Sequence, residues 1–124
     1  MDTIGQLGER GLIKRLARLL PGGAAVVAGI GADCAVVRLP SDRSFDLVLT
    51  SDPVIEGVHF AAGVKPALAG RKAVGRVLSD LAAVGAEPLW ARVDLVAPAV
   101  TPVARLEGLY RGMAGIAGRH GLAI

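Results

Sequence analysis

The sequence predicts an α+β fold in which helices stack on one face of a mixed or antiparallel sheet. Three observations carry this. Apolar residues recur at helical spacing in three segments, Val-rich runs lie between them, and Pro and Gly mark the boundaries. The order is helix, two strands, helix, strand, helix, then the start of a further strand. With 124 residues, 1–124 form a single domain.

The first helix is read from Leu12, Ile13, Leu16, Leu19 and Leu20, with Lys14, Arg15 and Arg18 on the other face and Pro21-Gly22-Gly23 as the stop. Residues 33–39 read as a strand, 40–44 as a turn and 45–50 as a second strand, so the two are expected to form a hairpin. Pro53 lacks an N–H and ends that ladder, and 54–60 leads into a loop. Pro66 opens the second helix at its first turn. Val74, Val77, Leu78, Leu81 and Val84 form its apolar stripe, and Gly85 and Pro88 close it.

Residues 89–96 read as a third strand with Arg92 and Asp94 pointing outward. Thr101 is expected as N-cap and Pro102 as first residue of the last helix, marked by Val103, Leu106, Tyr110, Met113 and Ala117. Arg119 and His120 suit its C-terminal dipole and Gly121 its cap. Leu122, Ala123 and Ile124 look like the start of a strand.

Just over half of the residues are hydrophobic but only four are aromatic, so the core must be mainly Val, Leu, Ile and Ala. The net charge of +3 comes from basic residues spread along the chain. Duplex binders concentrate such charge on one stripe and single-strand binders add aromatics, so no nucleic-acid partner is expected. Attraction of phosphorylated small molecules fits the mild positive balance. A single cysteine, Cys34, allows no internal disulfide, reads as a small buried hydrophobe, and points to a cytoplasmic location. No signal peptide is expected. The uncharged run at 22–32 is too short and Gly-rich for a bilayer, so no membrane partner is expected either.

Three acidic residues sit where the chain changes direction. Asp33 lies in Gly29-Ile30-Gly31-Ala32-Asp33, Asp52 in Thr50-Ser51-Asp52-Pro53, and Asp80 in Leu78-Ser79-Asp80-Leu81. Asp80 lies at the margin of the second helix's apolar stripe, roughly 110° from its centre at about 100° per residue, where it can face a cleft. Converging hard oxygen ligands suit Mg²⁺, which is usually shared with substrate phosphates. Blander readings stand beside this one. Asp33 and Asp52 can be turn residues, Asp80 a surface partner of Arg76 at i−4, and His59 a core histidine packed by Phe60. Thr50 and Ser51 can satisfy local backbone donors. Glu56 reads as solvated or turn-fixing, and Arg71 and Lys72 as solvated helix residues.

Beyond these readings, residues 29–98 resemble the N-terminal domain of the thiamine-monophosphate kinases, in the superfamily of aminoimidazole ribonucleotide synthetase and selenophosphate synthetase. The run Thr50-Ser51-Asp52 followed by Glu56-Gly57-Val58-His59-Phe60 carries the kinase branch. Lys72-Ala73 leading to Leu78-Ser79-Asp80-Leu81-Ala82-Ala83-Val84-Gly85-Ala86 carries the superfamily. Gly8-Glu9 followed by Leu12-Ile13 resembles the family's opening helix, so the likeness spans nearly the whole chain.

The resemblance implies an aminoimidazole ribonucleotide synthetase N-terminal-domain-like fold whose sheet is used for dimerisation. It implies an enzyme that phosphorylates thiamine monophosphate to thiamine diphosphate with ATP as co-substrate. It places Asp33, Thr50, Ser51, Asp52 and Asp80 around magnesium and His59 on thiamine phosphate, and it names no catalytic acid or base. The implied partners are ATP, thiamine monophosphate and a second copy of the chain. Two departures stand out: Ala32 where the family often has a second acid, and Val77 where it usually has Asn. The family's next motif, Gly-Gly-Asp, and its C-terminal domain are expected beyond Ile124, so the chain by itself is not expected to turn over. A non-catalytic nucleotide-binding or dimerisation module, or another enzyme of the superfamily, is the alternative.

Overall fold

Among the described residues, three α-helices build the core: α1 (Ile4–Ala17), α2 (Pro66–Ala83) and α3 (Val103–Arg119). This computed structural model describes residues 2–31, 36–39, 41 and 47–124. Leu12 and Leu16 of α1, Val74 of α2 and Val103, Leu106, Tyr110, Met113 and Ala117 of α3 meet with Leu122 in one buried cluster. The helical spacing read from the sequence therefore marks the core face of α1 and α3.

α1 begins earlier than its apolar spacing suggests. Thr3 and Gln6 form a reciprocal capping box, with the Gln6 N–H on Thr3 Oγ1 at 3.3 Å and the Thr3 N–H on Gln6 Oε1 at 2.9 Å. Gly8 breaks the helical path with φ 72°. The helix ends at Ala17, so Leu19 and Leu20 pack on the core from the following turn. Arg15, expected on the polar face, instead bridges Asp2 and Glu107 of α3.

α2 and α3 pack closely because both lack side chains at the crossing. A Cβ on Gly70 would lie 1.9 Å from the Leu109 carbonyl oxygen, and one on Gly112 would lie 2.0 Å from that of Ala67. Pro66 opens α2 as expected, and Gly85 closes it in a Schellman motif: the Ala86 N–H bonds Leu81 O at 2.9 Å and the Gly85 N–H bonds Ala82 O at 3.1 Å. Of the expected apolar stripe, Val74 is buried, Val77, Leu78 and Leu81 are half-buried, and Val84, the C-cap beyond Ala83, is exposed.

The cap of α3 falls one residue later than read. Pro102 is the N-cap, no side chain caps the turn, and the Val103 N–H bonds Asp2 O at 2.8 Å. The chain's own start thus supplies the acceptor expected from Thr101. Ile4 N–H to Thr101 O (3.1 Å) and Gly5 N–H to Ala99 O (2.8 Å) extend this seam.

The strands differ most from expectation. Among the described residues, the ladder is a two-stranded antiparallel ribbon of β1 (Val26–Ala28) and β2 (Val36–Val37), with an irregular register that pairs Val26 with Val37 and Ala28 with Val36. Of the expected hairpin between 33–39 and 45–50, residues 33–35 and 45–46 lie outside the described residues; among the described ones, β2 pairs backward with β1 and 47–50 carry no ladder. Among the described residues, 89–96 make only a parallel bridge, Trp90 with Ala123, through Ala91 N–H to Ala123 O (2.7 Å) and Ala123 N–H to Leu89 O (3.0 Å). That bridge bears out a strand-like start at 122–124. Alternation also holds locally: Ala91 and Val93 pack on the core, while Arg92 and Asp94 point outward and pair at 2.8 Å.

Large apolar side chains remain in contact with solvent on the extended segments, among them Leu49 at 83% exposure and Val96 at 96%.

Candidate functional site

The segment carrying Thr50, Ser51 and Asp52 lies against the outer face of α2. The Thr50 hydroxyl donates to Asp80 Oδ2 at 2.8 Å. Arg76, one turn before Asp80, grips Asp52 side-on with the two nitrogens of one guanidinium edge: Nη2 to Oδ1 at 3.2 Å and Nε to Oδ2 at 3.3 Å. Two contacts one helical turn apart therefore bring Asp52 and Asp80 to the same stretch of helix. Pro53 follows directly and removes a ladder donor, which fits a segment held by side chains. Asp52 is half-buried, and Thr50, Ser51 and Asp80 are exposed.

The structure thus joins Thr50, Asp52 and Asp80. Ser51 lies between two of them in sequence, with no side-chain bond among the described residues. Asp33 lies outside the described residues. Among the described residues, no three His, Cys, Asp or Glu side chains gather as a metal cage. The donor set at Thr50, Asp52 and Asp80 is all oxygen and lies toward solvent, chemistry that fits a hard cation retaining water and phosphate ligands.

His59 sits in a tight turn beside this segment. The turn is closed by His59 N–H to Ile55 O (2.8 Å), Val58 N–H to Ile55 O (3.2 Å) and Gly57 N–H to Phe60 O (2.8 Å). Gly57 has φ 81°, a left-handed value that a side chain would strain. The Ile55 N–H donates to His59 Nδ1 at 3.0 Å. A neutral imidazole that accepts at Nδ1 carries its proton on Nε2, so this bond leaves Nε2 as a donor.

Two cations hold the turn. Lys72 of α2 donates to the His59 carbonyl oxygen. Arg105 of α3 donates to Glu56 Oε2 at 2.6 Å and to Ala62 O at 3.1 Å. Glu56 is therefore turn-fixing, as one of its two sequence readings had it, and Lys72 is bonded to backbone. Arg105 carried no sequence signal, because its partners lie more than forty positions away. The i−4 pair of Asp80 with Arg76, the blander reading of Asp80, is not formed: the fold gives Arg76 Asp52 instead.

The family model of the AIR synthase related protein, N-terminal domain, matches residues 31–124. The chain belongs to this family. Within it, the chain is similar to the thiamine-monophosphate kinase of Haemophilus influenzae, 39% identical over 95 residues that cover 76% of this chain and 28% of that protein. It is 37% identical over 123 residues to the thiamine-monophosphate kinase of Mycobacterium tuberculosis (strain H37Rv), covering 98% of this chain and 36% of that protein. The thiamine-monophosphate kinase of Synechococcus elongatus is 34% identical over 112 residues, 90% of this chain and 32% of its own length. The chain thus spans about a third of these curated relatives. No helix of the described residues is long and apolar enough to cross a membrane.

Proposed function

We propose that this AIR synthase related domain is the ATP- and magnesium-binding part of a thiamine-monophosphate kinase, which moves the γ-phosphoryl group of ATP onto thiamine monophosphate. The observation that carries the reading is that Thr50 and Asp52, on an extended segment, are tied to Asp80 and Arg76 on one stretch of α2, in a domain whose curated relatives bear that enzyme's name.

In this reading Asp52 and Asp80, with Thr50, Ser51 and Asp33, hold magnesium. A magnesium ion held by these oxygens would supply positive charge against the crowded phosphate oxygens of donor and acceptor. The chain's own residues do the positioning. Thr50 fixes one oxygen of Asp80, Arg76 fixes Asp52, and α2 supplies the rigid base for both. His59, its Nδ1 held by the Ile55 N–H, offers Nε2–H to the substrate phosphate. The acceptor is already an anionic phosphate, so in-line positioning suffices and no strong base is called for.

A homodimer and a cytoplasmic location belong to the same proposal. Exposed Leu49, Val58 and Val96 are apolar surface that a second copy would cover. Sedimentation showing a monomer at micromolar concentration would count against the dimer.

The activity is tested by joining these residues to the C-terminal two thirds of the Mycobacterium tuberculosis relative and following ADP release with thiamine monophosphate. The expected result is turnover that Asp80→Ala abolishes. Equal thiamine diphosphate formation by both proteins would overturn the assignment of Asp80.

A further inference from the structure

Arg76 touches one of the two carboxylates that the proposed function assigns to the cation. It leads Asp80 by one turn of α2, yet its guanidinium takes both oxygens of Asp52, at 3.2 and 3.3 Å. Asp80 instead receives a neutral hydroxyl from Thr50. Among the described residues, Arg76 is therefore the one cationic side chain that touches either carboxylate.

The ion pair lies at a rim rather than in the core: side-chain exposure is 36% for Arg76 and 25% for Asp52. A pair at such a rim is weak and can be exchanged. A divalent cation at Asp52 would meet a guanidinium on the same carboxylate. Two cations that share one carboxylate repel, and the repulsion weakens the binding of the second.

We propose that Arg76 is a built-in counter-cation, a positioning residue that holds Asp52 in place and yields it when a divalent cation arrives. The inference rests on the cation reading of Asp52. It makes Arg76 a brake on cation affinity: the bare carboxylate is never left without a partner, and entry of the ion requires the guanidinium to let go. The displaced guanidinium remains on α2 beside the site, one turn from Asp80.

The test uses Mn²⁺ alone as probe, with affinity read from water-proton relaxation, for wild type, Arg76→Met, Asp52→Asn and the double variant. Met keeps the apolar stem and removes the charge. Arg76→Met is expected to bind Mn²⁺ roughly two- to fivefold more tightly, the range an exposed ion pair supports. Asp52→Asn is expected to bind more weakly, and the double variant to match Asp52→Asn, because Arg76 acts through Asp52. If Asp52→Asn binds as tightly as wild type, the cation reading fails and this inference with it. If Asp52→Asn weakens binding while Arg76→Met leaves it unchanged or weaker, the cation reading stands and the inference alone is overturned. A gain from Arg76→Met that persists in the double variant also overturns it, since the effect is then general charge. Should Arg76→Met fail to fold, the wild-type Arg76 Nε–H resonance decides. It is expected to shift on titration with Mg²⁺, and its constancy at saturation overturns the inference.

Discussion

The Thr50 hydroxyl donates to Asp80 Oδ2 across thirty positions of sequence, at 2.8 Å, and so pins an extended segment to the outer face of α2. Helix and segment come together through polar side chains at a surface rather than through the core.

This tie has a measurable size. A hydrogen bond to a charged acceptor contributes about 1.5–3 kcal/mol when well shielded, and exposure at this site brings it toward the lower values of neutral bonds, about 0.5–1.5 kcal/mol. Thr50→Val and Asp80→Ala are each expected to destabilise by about 1 kcal/mol. In a double-mutant cycle by urea unfolding their effects should be less than additive. Additive effects would mean that the two side chains do not interact.

The α2–α3 crossing gives opposite signs for chemically identical substitutions. Gly70→Ala and Gly112→Ala drive a methyl into a carbonyl oxygen at about 2 Å, so each is expected to cost about 1–3 kcal/mol or more. Gly115 lies on α3 where an added Cβ would meet no atom within 4 Å, and Gly115→Ala should stabilise by up to about 1 kcal/mol. Thermal unfolding of the three variants checks the contrast.

The pattern of what the sequence disclosed follows interaction range. Pro66 at the start of α2, Gly85 and Gly121 after the last turns, and the outward pair Arg92 and Asp94 were legible, because turn chemistry and side-chain period act over a few residues. Thr3 and Gln6 were an available signal, an S/T-x-x-E/Q box, that the apolar spacing from Leu12 overshadowed. β1 was hidden because its short Val-Val-Ala run sits in a Gly- and Ala-rich stretch with no polar alternation. Asp80 was placed rightly at the margin of its stripe. The blander reading of Asp80, a pair with Arg76 at i−4 worth a few tenths of a kcal/mol, is not formed, because the fold offers Arg76 a bidentate carboxylate instead.

Buried Tyr110 sets a limit at high pH. Burial pushes its phenol above the ordinary value of about 10, because the phenolate loses solvation in the core. The neutral form is favoured in the folded state, so this contribution is fully present below about pH 10 and is lost as pH rises through the folded-state value. Denaturant midpoints should fall above about pH 10, and Tyr110→Phe should flatten that fall. An unchanged alkaline decline in Tyr110→Phe would assign it to other groups.

His59 is expected in one neutral tautomer. Its Nδ1 accepts from the Ile55 N–H, so nitrogen-15 NMR should find Nδ1 unprotonated and Nε2 protonated. Arg105→Ala, which removes the anchor on Glu56 and Ala62, should loosen the turn and mix the tautomers. A pure Nδ1–H form in the wild type would contradict the donor role given to Nε2.

The central claim is that Asp52 and Asp80 bind nucleotide through magnesium. Calorimetric titration of ATP into the chain tests it most directly, with and without Mg²⁺ and in an Asp52→Ala/Asp80→Ala variant. The account predicts heat of binding only when Mg²⁺ is present, lost in the double variant, whose fold is retained because both carboxylates lie outside the core. Equal ATP affinity without Mg²⁺, or undiminished binding by the folded double variant, would contradict it.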